Sequence, residues 1–526
     1  MPITSGCVAA GHEVTAEAGA EILRAGGNAV DAAIAAVGMS FIAEPVLTSA
    51  GGGGFLLLRE PDGRSILFDG FARMPERRIE TLEQPDFRGI PVDFGDTVQT
   101  FHIGRAAIGT PTLMSLLFET HQSHGRIPLN DVMAPAIHAA REGVRLNALQ
   151  SSFIHLLEPI LTAETTCRDL HAPEGHLLKE GEPFKNADLA NMLEMFVIDG
   201  VNEMYHGDVA KSIADACQPG GLLSKHDMEQ VEVIRRKPLS ISALGGEMLT
   251  NPLPSSGGCL IGFSLILLDR LVKSGHHEPL NILLAECLRA ASNIRSATFD
   301  KQVHETGMEQ QILNESNIKY NFNKIIQHIN NNQKYNQSEI ENKHGSTTHI
   351  SVVDKDGRAV SITTSNGEGS GIVAPGTGIH LNNMLGEEDI NPLGFHRLPA
   401  GETLSSMMAP SIFVRHGLPA LILGSGGSNR LRGAILQVLC HHTLEDMDIE
   451  TAVRFPRIHN EGDLLDCEPG CLGPDEEHIL SELGWNIRHW QQPSVYFGGV
   501  HAIALDKNGQ MQAAGDPRRG GAVAWA

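Results

Sequence analysis

Residues 345–354 read Gly-Ser-Thr-Thr-His-Ile-Ser-Val-Val-Asp, and this stretch decides how the rest of the chain is interpreted. It places two threonines at the start of a predicted strand, directly after a polar segment rich in asparagine. Threonine pairs are common in strands, where β-branched residues are favoured. If the chain is cut just before Thr347, that residue gains a free α-amine, which can activate its own hydroxyl as a nucleophile. An α-amine titrates near ~7.7–8.0, so it can accept a proton at neutral pH.

Length and composition exclude several classes of protein. The chain has 526 residues, 41% of them hydrophobic, which suffices for one large domain or roughly two to three smaller ones. With 40 basic and 63 acidic residues the net charge is −23. This balance argues against nucleic acid or an anionic membrane as the main partner. The apolar runs are too short to span a bilayer.

The sequence also carries expectations about compartment and metal binding. Residues 1–20 lack a basic region followed by an apolar one, so we recognise no secretory signal and expect a cytoplasmic protein. The eight cysteines are scattered, as in proteins that stay reduced. Because no CxxC pair or Cys/His ligand spacing occurs, we expect neither a metal nor a cofactor.

Apolar periodicity predicts blocks of helices and strands. Before residue 300 the predicted helices are 13–24, 29–42 and 259–273, the strands are 55–59 and 65–69, and 105–250 is mainly helical. After residue 345 the predicted strands are 348–354, 358–364, 411–414, 418–423, 500–505 and 511–514, with helices at 430–444, 450–455 and 474–483. Lys355-Asp-Gly357 predicts a hairpin between the first two. This order suggests a layered α/β (α+β) arrangement.

The segment just before Thr347 differs in composition from its surroundings. Residues 314–344 are rich in Asn, Gln, Lys and Ile and poor in small apolar residues. Such a composition is typical of exposed, mobile chain. We therefore predict a flexible linker over about 314–346.

Four segments in the last third of the chain could converge on Thr347. The loop 364–371 ends the strand predicted to pair with that of Thr347, so Ser365 or Asn366 could orient the threonine hydroxyl; its alternative interpretation is a flexible Gly/Ser loop. The segment 404–410 offers hydroxyls that could hold a carboxylate or amide, or that serve ordinary turns.

The other two segments are rich in glycine or in acid. Residues 424–430 (Gly-Ser-Gly-Gly-Ser-Asn-Arg) lie between a strand and a helix, where backbone N–H groups can bind a phosphate or an oxyanion. No Gly-Lys-Ser/Thr follows, so this is not a Walker A loop. Residues 382–389 end in three adjacent acids that could bind an amine, although most acidic runs are solvated surface.

Together these segments resemble the γ-glutamyltranspeptidase family. The stretch 347–357 is close to the start of that family's small subunit, and 376–383, 404–407 and 424–430 follow in the same order. The first half agrees as well, at 26–33, 51–55, 109–111 and 252–258, as does the tail 516–521. The resemblance runs from near residue 10 to the end.

The resemblance implies an αββα sandwich of the N-terminal-nucleophile hydrolase type and self-cleavage between Ser346 and Thr347. The products would be a large subunit, 1–346, and a small subunit, 347–526, which together form one compact unit. Carried over residue by residue, Thr347 is the nucleophile, and Ser365 stands where the family has a threonine that hydrogen-bonds it. It implies a small-molecule γ-glutamyl or related amide as substrate, with no nucleic acid or membrane partner.

Other family positions imply substrate contacts. Ser405 and Ser406 match the pair that holds the α-carboxylate of glutamate. Gly427 and Ser428 match two residues whose backbone N–H groups form the oxyanion hole, with Gly426 and Gly427 as the alternative if the loop shifts by one.

The chain departs from the family pattern around the substrate. An arginine that binds the glutamate α-carboxylate in the well-known transpeptidases is replaced by Phe71, and Arg73 is the candidate substitute. The family's amine-binding acid falls at Glu387, and a nearby glutamine is Met384. The shortened loop 365–371 leaves Asn366 as the approximate match of a substrate-binding asparagine. Loss of a bidentate Arg–carboxylate contact should weaken recognition of γ-glutamyl groups.

Three hypotheses follow. The first is an autoprocessing γ-glutamyltransferase or hydrolase that cleaves amides such as glutathione through a Thr347 acyl-enzyme. The second keeps this machinery but takes another acyl group, as cephalosporin acylases do, because Phe71 and Met384 make the pocket more apolar. The third is an uncleaved, inactive homologue that acts as a binding protein.

Overall fold

The computed structural model describes residues 6–93, 98–276, 278–295, 299–331 and 345–526. The strands within these ranges, in chain order, are β1 (Gly6–Ala10), β2 (Gly53–Arg59), β3 (Ser65–Gly70), β4 (Arg88–Asp93), β5 (Val98–Ile103), β6 (Val144–Arg145), β7 (Pro183–Phe184), β8 (Ile234–Arg236), β9 (Leu239–Ala243), β10 (Gly246–Thr250), β11 (Thr348–Asp354), β12 (Ala359–Ser365), β13 (Val373–Ala374), β14 (Ile379–His380), β15 (Ser411–Arg415), β16 (Leu418–Gly426), β17 (Ile458–Glu461), β18 (Leu464–Cys467), β19 (Asn486–His489), β20 (Gly499–Leu505), β21 (Met511–Ala514) and β22 (Ala522–Trp525).

The α-helices of the same ranges are α1 (Glu13–Arg24), α2 (Ala29–Ala43), α3 (Leu113–His124), α4 (Leu129–Glu142), α5 (Ala148–Leu156), α6 (Glu158–Leu161), α7 (Thr165–His171), α8 (Ala187–Asp199), α9 (Val201–Tyr205), α10 (Asp208–Ala216), α11 (Lys225–Glu229), α12 (Ser256–Lys273), α13 (Leu280–Ile294), α14 (Asp300–Gln302), α15 (Met308–Leu313), α16 (Glu315–Asn331), α17 (Leu431–Leu444), α18 (Ile449–Arg454) and α19 (Pro474–Glu482).

Two antiparallel sheets form the centre of the molecule. The first has seven strands in the order β22-β1-β11-β12-β2-β3-β8, and the second has six in the order β21-β20-β16-β15-β10-β9. Strands β11 and β12 pack face to face against β16 of the second sheet. Helices α1 and α2 cover the other face of the first sheet, and α12 and α17 cover that of the second. The αββα sandwich implied by the family resemblance is confirmed.

Strand β11 shows how the sequence builds these layers. Alternate side chains of a strand point to opposite faces of its sheet. Ile350 and Val352 join the apolar core beneath α1 and α2, whereas Ser351 points toward the second sheet and donates a hydrogen bond to the carbonyl oxygen of His501 at 3.0 Å. Ser361 of β12 likewise donates to the carbonyl of Leu423 at 3.0 Å. Small hydroxyl side chains therefore tie the two sheets together.

The predicted hairpin around Lys355-Asp-Gly357 is present. Thr348 faces Thr364 in its register, and Val353 faces Ala359. The Asp354 carboxylate accepts hydrogen bonds from the backbone N–H groups of Asp356 and Arg358, both at 3.0 Å, which shape the turn. This hairpin lies in the middle of the first sheet and places residue 347 at its end.

The linker prediction is wrong for 315–331. These residues form α16, which packs against α12 and α13. Ile318 and Ile325 are each only 1% exposed, because isoleucines seven positions apart fall on one helical face. The polar composition conceals this apolar stripe. The rest of the predicted linker, from 332 to 344, lies outside the described residues.

The predicted helical block 105–250 is only partly confirmed. It is helical up to α11, and its end forms the strands β8, β9 and β10.

All eight cysteines are buried and carry free thiols. Among the described residues, no helix combines the length and apolarity needed to cross a membrane, and no cluster of His, Cys, Asp and Glu side chains is suited to a metal ion.

Candidate active site

Thr347 lies immediately before β11, at the centre of the sandwich, and is 5% exposed. The next residue anchors it, since the Thr348 hydroxyl donates to Oε2 of Glu44 at 2.6 Å. Thr15 donates to the other oxygen of the same carboxyl group at 2.9 Å. The peptide bond before Thr347 is therefore attached to a fixed strand end rather than to a loose loop.

Ser365 contacts the bond that self-cleavage would break. Its hydroxyl donates a hydrogen bond to the carbonyl oxygen of Ser346 at 2.6 Å, and it accepts one from the backbone N–H of Gly367 at 3.0 Å. Ser365 thus polarises the carbonyl that Thr347 would attack. The family resemblance implied a bond to the Thr347 hydroxyl instead. In the uncut chain the Ser365 hydroxyl donates to the Ser346 carbonyl oxygen, because β12 ends directly beside residue 346.

A second side chain holds the other polar group of Ser346. Oε1 of Glu368 accepts the Ser346 backbone N–H at 2.9 Å. The Glu387 carboxyl group lies next to that of Glu368. Burial and the Glu387 charge raise the pKa of Glu368 well above its usual range. Burial, with the Asp389 charge, raises the pKa of Glu387 to about 7. Two buried carboxyls in contact retain a proton between them, because like charges cannot both ionise easily.

The glycine-rich loop 424–430 closes over Thr347. At Gly426 a Cβ atom would lie 2.3 Å from the Thr347 carbonyl oxygen, so only glycine fits. Gly427 and Ser428 follow with positive φ values of 119° and 50°. The Ser428 hydroxyl donates to Asp389 at 2.6 Å, which fixes the loop. The oxyanion-hole role of Gly427 and Ser428, or of Gly426 and Gly427, stays a prediction.

Two of the five predicted substrate-binding residues, Ser406 and Glu387, line one pocket beside Thr347. Its lining side chains include Phe71, Thr347, Ser365, Met384, Glu387, Asp389, Ser406, Met407 and Ser428. We call it the acyl pocket. Ser406 is held in place there, since its carbonyl accepts the backbone N–H of Ser256 at 2.8 Å. Ser405 and Asn366 are buried but are not among the lining residues, and their substrate contacts stay predictions.

Arg73 does not reach this pocket, so its predicted role is corrected. Its backbone bridges to Thr110 on one side and to Thr403 on the other. Its guanidinium donates to the carbonyl of Glu232 and lines a separate surface recess. The backbone pairing directs the side chain away from Thr347, so Arg73 does not replace the arginine that Phe71 displaces.

The arrangement places a threonine before a central strand, a hydroxyl on the preceding carbonyl, and above the threonine a loop position, Gly426, where only glycine fits. A model of the family described as gamma-glutamyltranspeptidase matches residues 15–526. The chain belongs to this family. Its members include enzymes that transfer or hydrolyse γ-glutamyl groups.

Individual relatives fall into two groups. The glutathione hydrolase proenzyme of Escherichia coli is 30% identical over 544 residues, covering 98% of this chain and 90% of its own. The acylase ACY 1 proenzyme of Pseudomonas sp. is 27% identical, covering 97% of this chain and 91% of its own. Among solved structures, cephalosporin acylase from Bacillus halodurans superposes with a TM-score of 0.84 at 23% identity, over 99% of this chain and 96% of that one. This last likeness shows the fold.

Three further residues contact the site of this γ-glutamyltranspeptidase family member, and the sequence pattern does not predict them: Glu44, Glu368 and Arg519. Burial raises the pKa of Glu44 to about 7. Arg519 donates to the carbonyl oxygens of Thr347 at 3.4 Å and Gly345 at 3.5 Å. Burial, followed by the charge of Arg430, lowers its pKa to about 10. Two of them carry a signal in the sequence: Glu368 is a lone acid between two glycines after a strand, and Arg519 belongs to the tail 516–521. Glu44 carries none, because only the sheet order brings it close to Thr347.

Proposed function

We propose that Thr347 is an N-terminal nucleophile that matures by self-cleavage and then forms an acyl-enzyme with a γ-glutamyl amide. The supporting observation is the Ser365 hydroxyl, 2.6 Å from the carbonyl oxygen of Ser346. A donor at this position stabilises the negative charge that develops when Thr347 attacks.

The proposed maturation has two steps. The Thr347 hydroxyl attacks the Ser346 carbonyl carbon, the C–N bond breaks, and the nitrogen takes the proton to become a free amine. Water then hydrolyses the resulting ester, which leaves the Ser346 carboxylate and the free hydroxyl. The chain becomes a large subunit, 1–346, and a small subunit, 347–526. In turnover the new amine serves as the base for the Thr347 hydroxyl.

We assign γ-glutamyl amides such as glutathione as the substrate class, with water or an amine resolving the ester. The similarity to the glutathione hydrolase proenzyme of E. coli supports this assignment. So does the Glu387–Glu368 carboxyl pair beside the acyl pocket, because a substrate ammonium can bind to carboxylate oxygens.

A second candidate is the hydrolysis of another acyl amide. Phe71 and Met384 both line the acyl pocket, and Phe71 stacks on Phe55 with ring centroids 5.3 Å apart. No guanidinium lines the pocket among the described residues. Without that contact the pocket selects γ-glutamyl groups less strongly, so an acyl group that lacks the α-amine, such as glutaryl, becomes a competing substrate.

Intact mass under denaturing conditions tests the nucleophile. We expect two fragments, 1–346 and 347–526, from the wild type and one chain from Thr347→Ala. Ser365→Ala should slow the cleavage by about 100-fold, the scale seen when one oxyanion donor is removed, and Ser365→Thr should restore it. A wild-type chain that stays whole after long incubation would support the inactive binding homologue instead.

Anilide substrates then separate the two enzymatic candidates. We expect the cleaved wild type to have a higher kcat/KM for γ-glutamyl-4-nitroanilide than for glutaryl-4-nitroanilide. The reverse order would favour the acylase. Turnover by an uncut Thr347→Ala chain would contradict both.

A further inference from the structure

Ser428 has a backbone conformation that residues other than glycine seldom adopt. Its φ is 50°, in the left-handed region, where a Cβ atom makes the conformation costly. Such residues persist only where surrounding contacts hold them, and they concentrate at active sites. Ser428 belongs to the glycine-rich loop 424–430, whose N–H groups form the predicted oxyanion hole. The contacts that hold Ser428 therefore determine how these N–H groups are oriented.

Asp389 supplies the first of these contacts. The Ser428 hydroxyl donates to Oδ2 of Asp389 at 2.6 Å, and the side-chain amide nitrogen of Asn429 lies 3.5 Å from Oδ1. One carboxylate thus receives the side chains of two successive loop residues. Asp389 and Ser428 also line the acyl pocket, so the hydrogen bond between them lies beside the place where an acyl group would be held.

Arg295, at the end of α13, contacts the same loop from the other part of the chain. Its guanidinium donates to Oδ1 of Asn429 at 2.7 Å and lies 3.8 Å from Oδ1 of Asp389. Asp300 anchors the guanidinium by accepting a hydrogen bond from Nε at 2.6 Å. The side chains of Arg295 and Asp389 are only 11% and 10% exposed, so solvent ions screen their attraction weakly.

We propose that Asp389 and Arg295 are positioning residues that hold the glycine-rich loop 424–430 in the conformation that stabilises the oxyanion. This rests on the proposed function. Asp389 acts on the loop through the Ser428 hydroxyl, and Arg295 acts through Asn429. Oxyanion donors are effective because they are oriented before the reaction begins. Since Arg295 precedes the predicted cut and the other three residues follow it, the large subunit helps to organise a loop of the small subunit.

Hydrogen exchange measures the loop without requiring any chemistry. In the uncut Thr347→Ala chain, we expect Asp389→Ala to raise the exchange rate of the 424–430 amides by about tenfold, the scale of one lost charged hydrogen bond. Arg295→Gln should raise it as well. Asp389→Asn keeps an acceptor for the Ser428 hydroxyl and should raise it less. Glu388→Gln removes the same charge from an exposed neighbour and, as the matched control, should leave the exchange rate unchanged.

Turnover by the cleaved enzyme tests the consequence for catalysis. The substrate is whichever of γ-glutamyl-4-nitroanilide and glutaryl-4-nitroanilide the wild type hydrolyses. We expect Asp389→Ala to lower kcat and kcat/KM equally, by about tenfold, with KM unchanged. This loss is smaller than the roughly 100-fold cost of removing an oxyanion donor, because the donors remain but are less well oriented. Asp389→Asn should recover most of the loss, and Glu388→Gln should show none.

A double-mutant cycle tests the route through the serine hydroxyl. Ser428→Ala removes the group that Asp389 holds, so adding Asp389→Ala to it should lower kcat little further. Two losses that multiply independently would show that Asp389 acts on the reaction by another route, and would overturn the proposal.

Two further results would also overturn it. One is an unchanged exchange rate of the 424–430 amides in Asp389→Ala. The other is a loss of turnover carried by KM alone, because Asp389 would then bind the substrate rather than orient the loop. If the wild type hydrolyses neither anilide, that result counts against the proposed function alone, and the exchange rates decide whether Asp389 and Arg295 hold the loop.

Discussion

At the scale of single residues, the peptide group of Ser346 is held at both of its polar atoms. Ser365 donates to its carbonyl at 2.6 Å, and Glu368 accepts from its N–H at 2.9 Å. The two contacts fix the rotation of the carbonyl relative to Thr347. Glu368 acts through the backbone and not on the reacting carbon, so we regard it as a positioning residue.

Glu368→Gln and Glu368→Ala should therefore differ. The glutamine keeps an acceptor for the Ser346 N–H and a donor toward Glu387, so self-cleavage should proceed within a few-fold of the wild-type rate. The alanine removes the acceptor and should slow cleavage by about tenfold, as expected for one lost hydrogen bond. The time course of the intact mass measures both. Equal rates for the alanine variant and the wild type would refute the positioning role.

The pH dependence of cleavage should distinguish wild type from Glu368→Gln. Burial raises the pKa of Glu387 to about 7, and burial together with the Glu387 charge holds the pKa of Glu368 well above its usual range. Glu387 therefore loses its proton near pH 7, while Glu368 keeps one proton for the pair. We expect the wild-type rate, relative to that of Glu368→Gln, to stay constant between about pH 6 and 8 and to fall at higher pH, where two adjacent negative charges repel. A fall in this ratio between about pH 6 and 8 would contradict the retained proton.

At the scale of secondary-structure elements, Glu44 joins α1 and the end of α2 to the start of β11. It accepts from Thr15 at 2.9 Å and from Thr348 at 2.6 Å. Gly11 leaves it room, since a Cβ atom there would lie 2.5 Å from Oε2. The strand that carries the nucleophile is thus anchored to the helical layer through one buried carboxyl.

This carboxyl predicts a dependence of stability on pH. Burial raises the pKa of Glu44 from 4.5 to about 7, so between these values the folded chain binds more protons than the unfolded chain. Stability contributed by this group therefore falls as pH rises from 4.5 to 7, by on the order of 3 kcal/mol. Glu44→Gln cannot ionise, so its Tm relative to wild type should increase over that range. Parallel Tm curves for the two proteins would contradict this.

The glycine-rich loop offers a steric test. Gly426→Ala would place a Cβ atom 2.3 Å from the Thr347 carbonyl oxygen, so the loop or the strand end must move. We expect self-cleavage to slow at least tenfold. Gly433→Ala in α17 is the matched control, because its Cβ would meet nothing closer than 3.5 Å. The control should cleave at the wild-type rate, and cleavage of both variants alike would refute the close approach.

Local pattern allowed several elements to be predicted. The hairpin was recognised because Lys355-Asp-Gly357 is a strong turn, and α1 because its apolar face ends at two glycines. Strands β1 and β22 were missed, since each is short and rich in alanine. Glu44 and Arg519 lie far from Thr347 in the sequence. The order of the strands brings them close to it, and local sequence pattern does not encode that order.

At the scale of the whole molecule, both sheets contain strands from each side of the predicted cut. In the first sheet β11 and β12 lie between β1 and β2, and in the second β15 pairs with β10. The hydrogen-bonded ladders β1–β22, β1–β11, β2–β12 and β10–β15 each join one part to the other. Backbone pairing and the shared core together hold them.

Cleavage should consequently leave the molecule intact under native conditions. We expect the cut protein to elute from a size-exclusion column as one species that contains both fragments, while denaturing electrophoresis separates them. Fragments that separate in native buffer would contradict the interleaved sheet order. The uncut Thr347→Ala chain, at the same elution volume, serves as the control.

Gly345 and Ser346 line both the acyl pocket and a second recess, whose lining includes Arg430, Tyr496 and Arg519. In the proposed enzyme the precursor's own chain therefore occupies the boundary across which a substrate amide would have to lie. An uncut chain would be inactive for two reasons. Thr347 would have no free α-amine, and Gly345 and Ser346 would occupy the position of the substrate amide. Cleavage would then free this position in addition to creating the amine. The new C-terminus of the large subunit, at Ser346, would compete with the substrate for the position until it moves away.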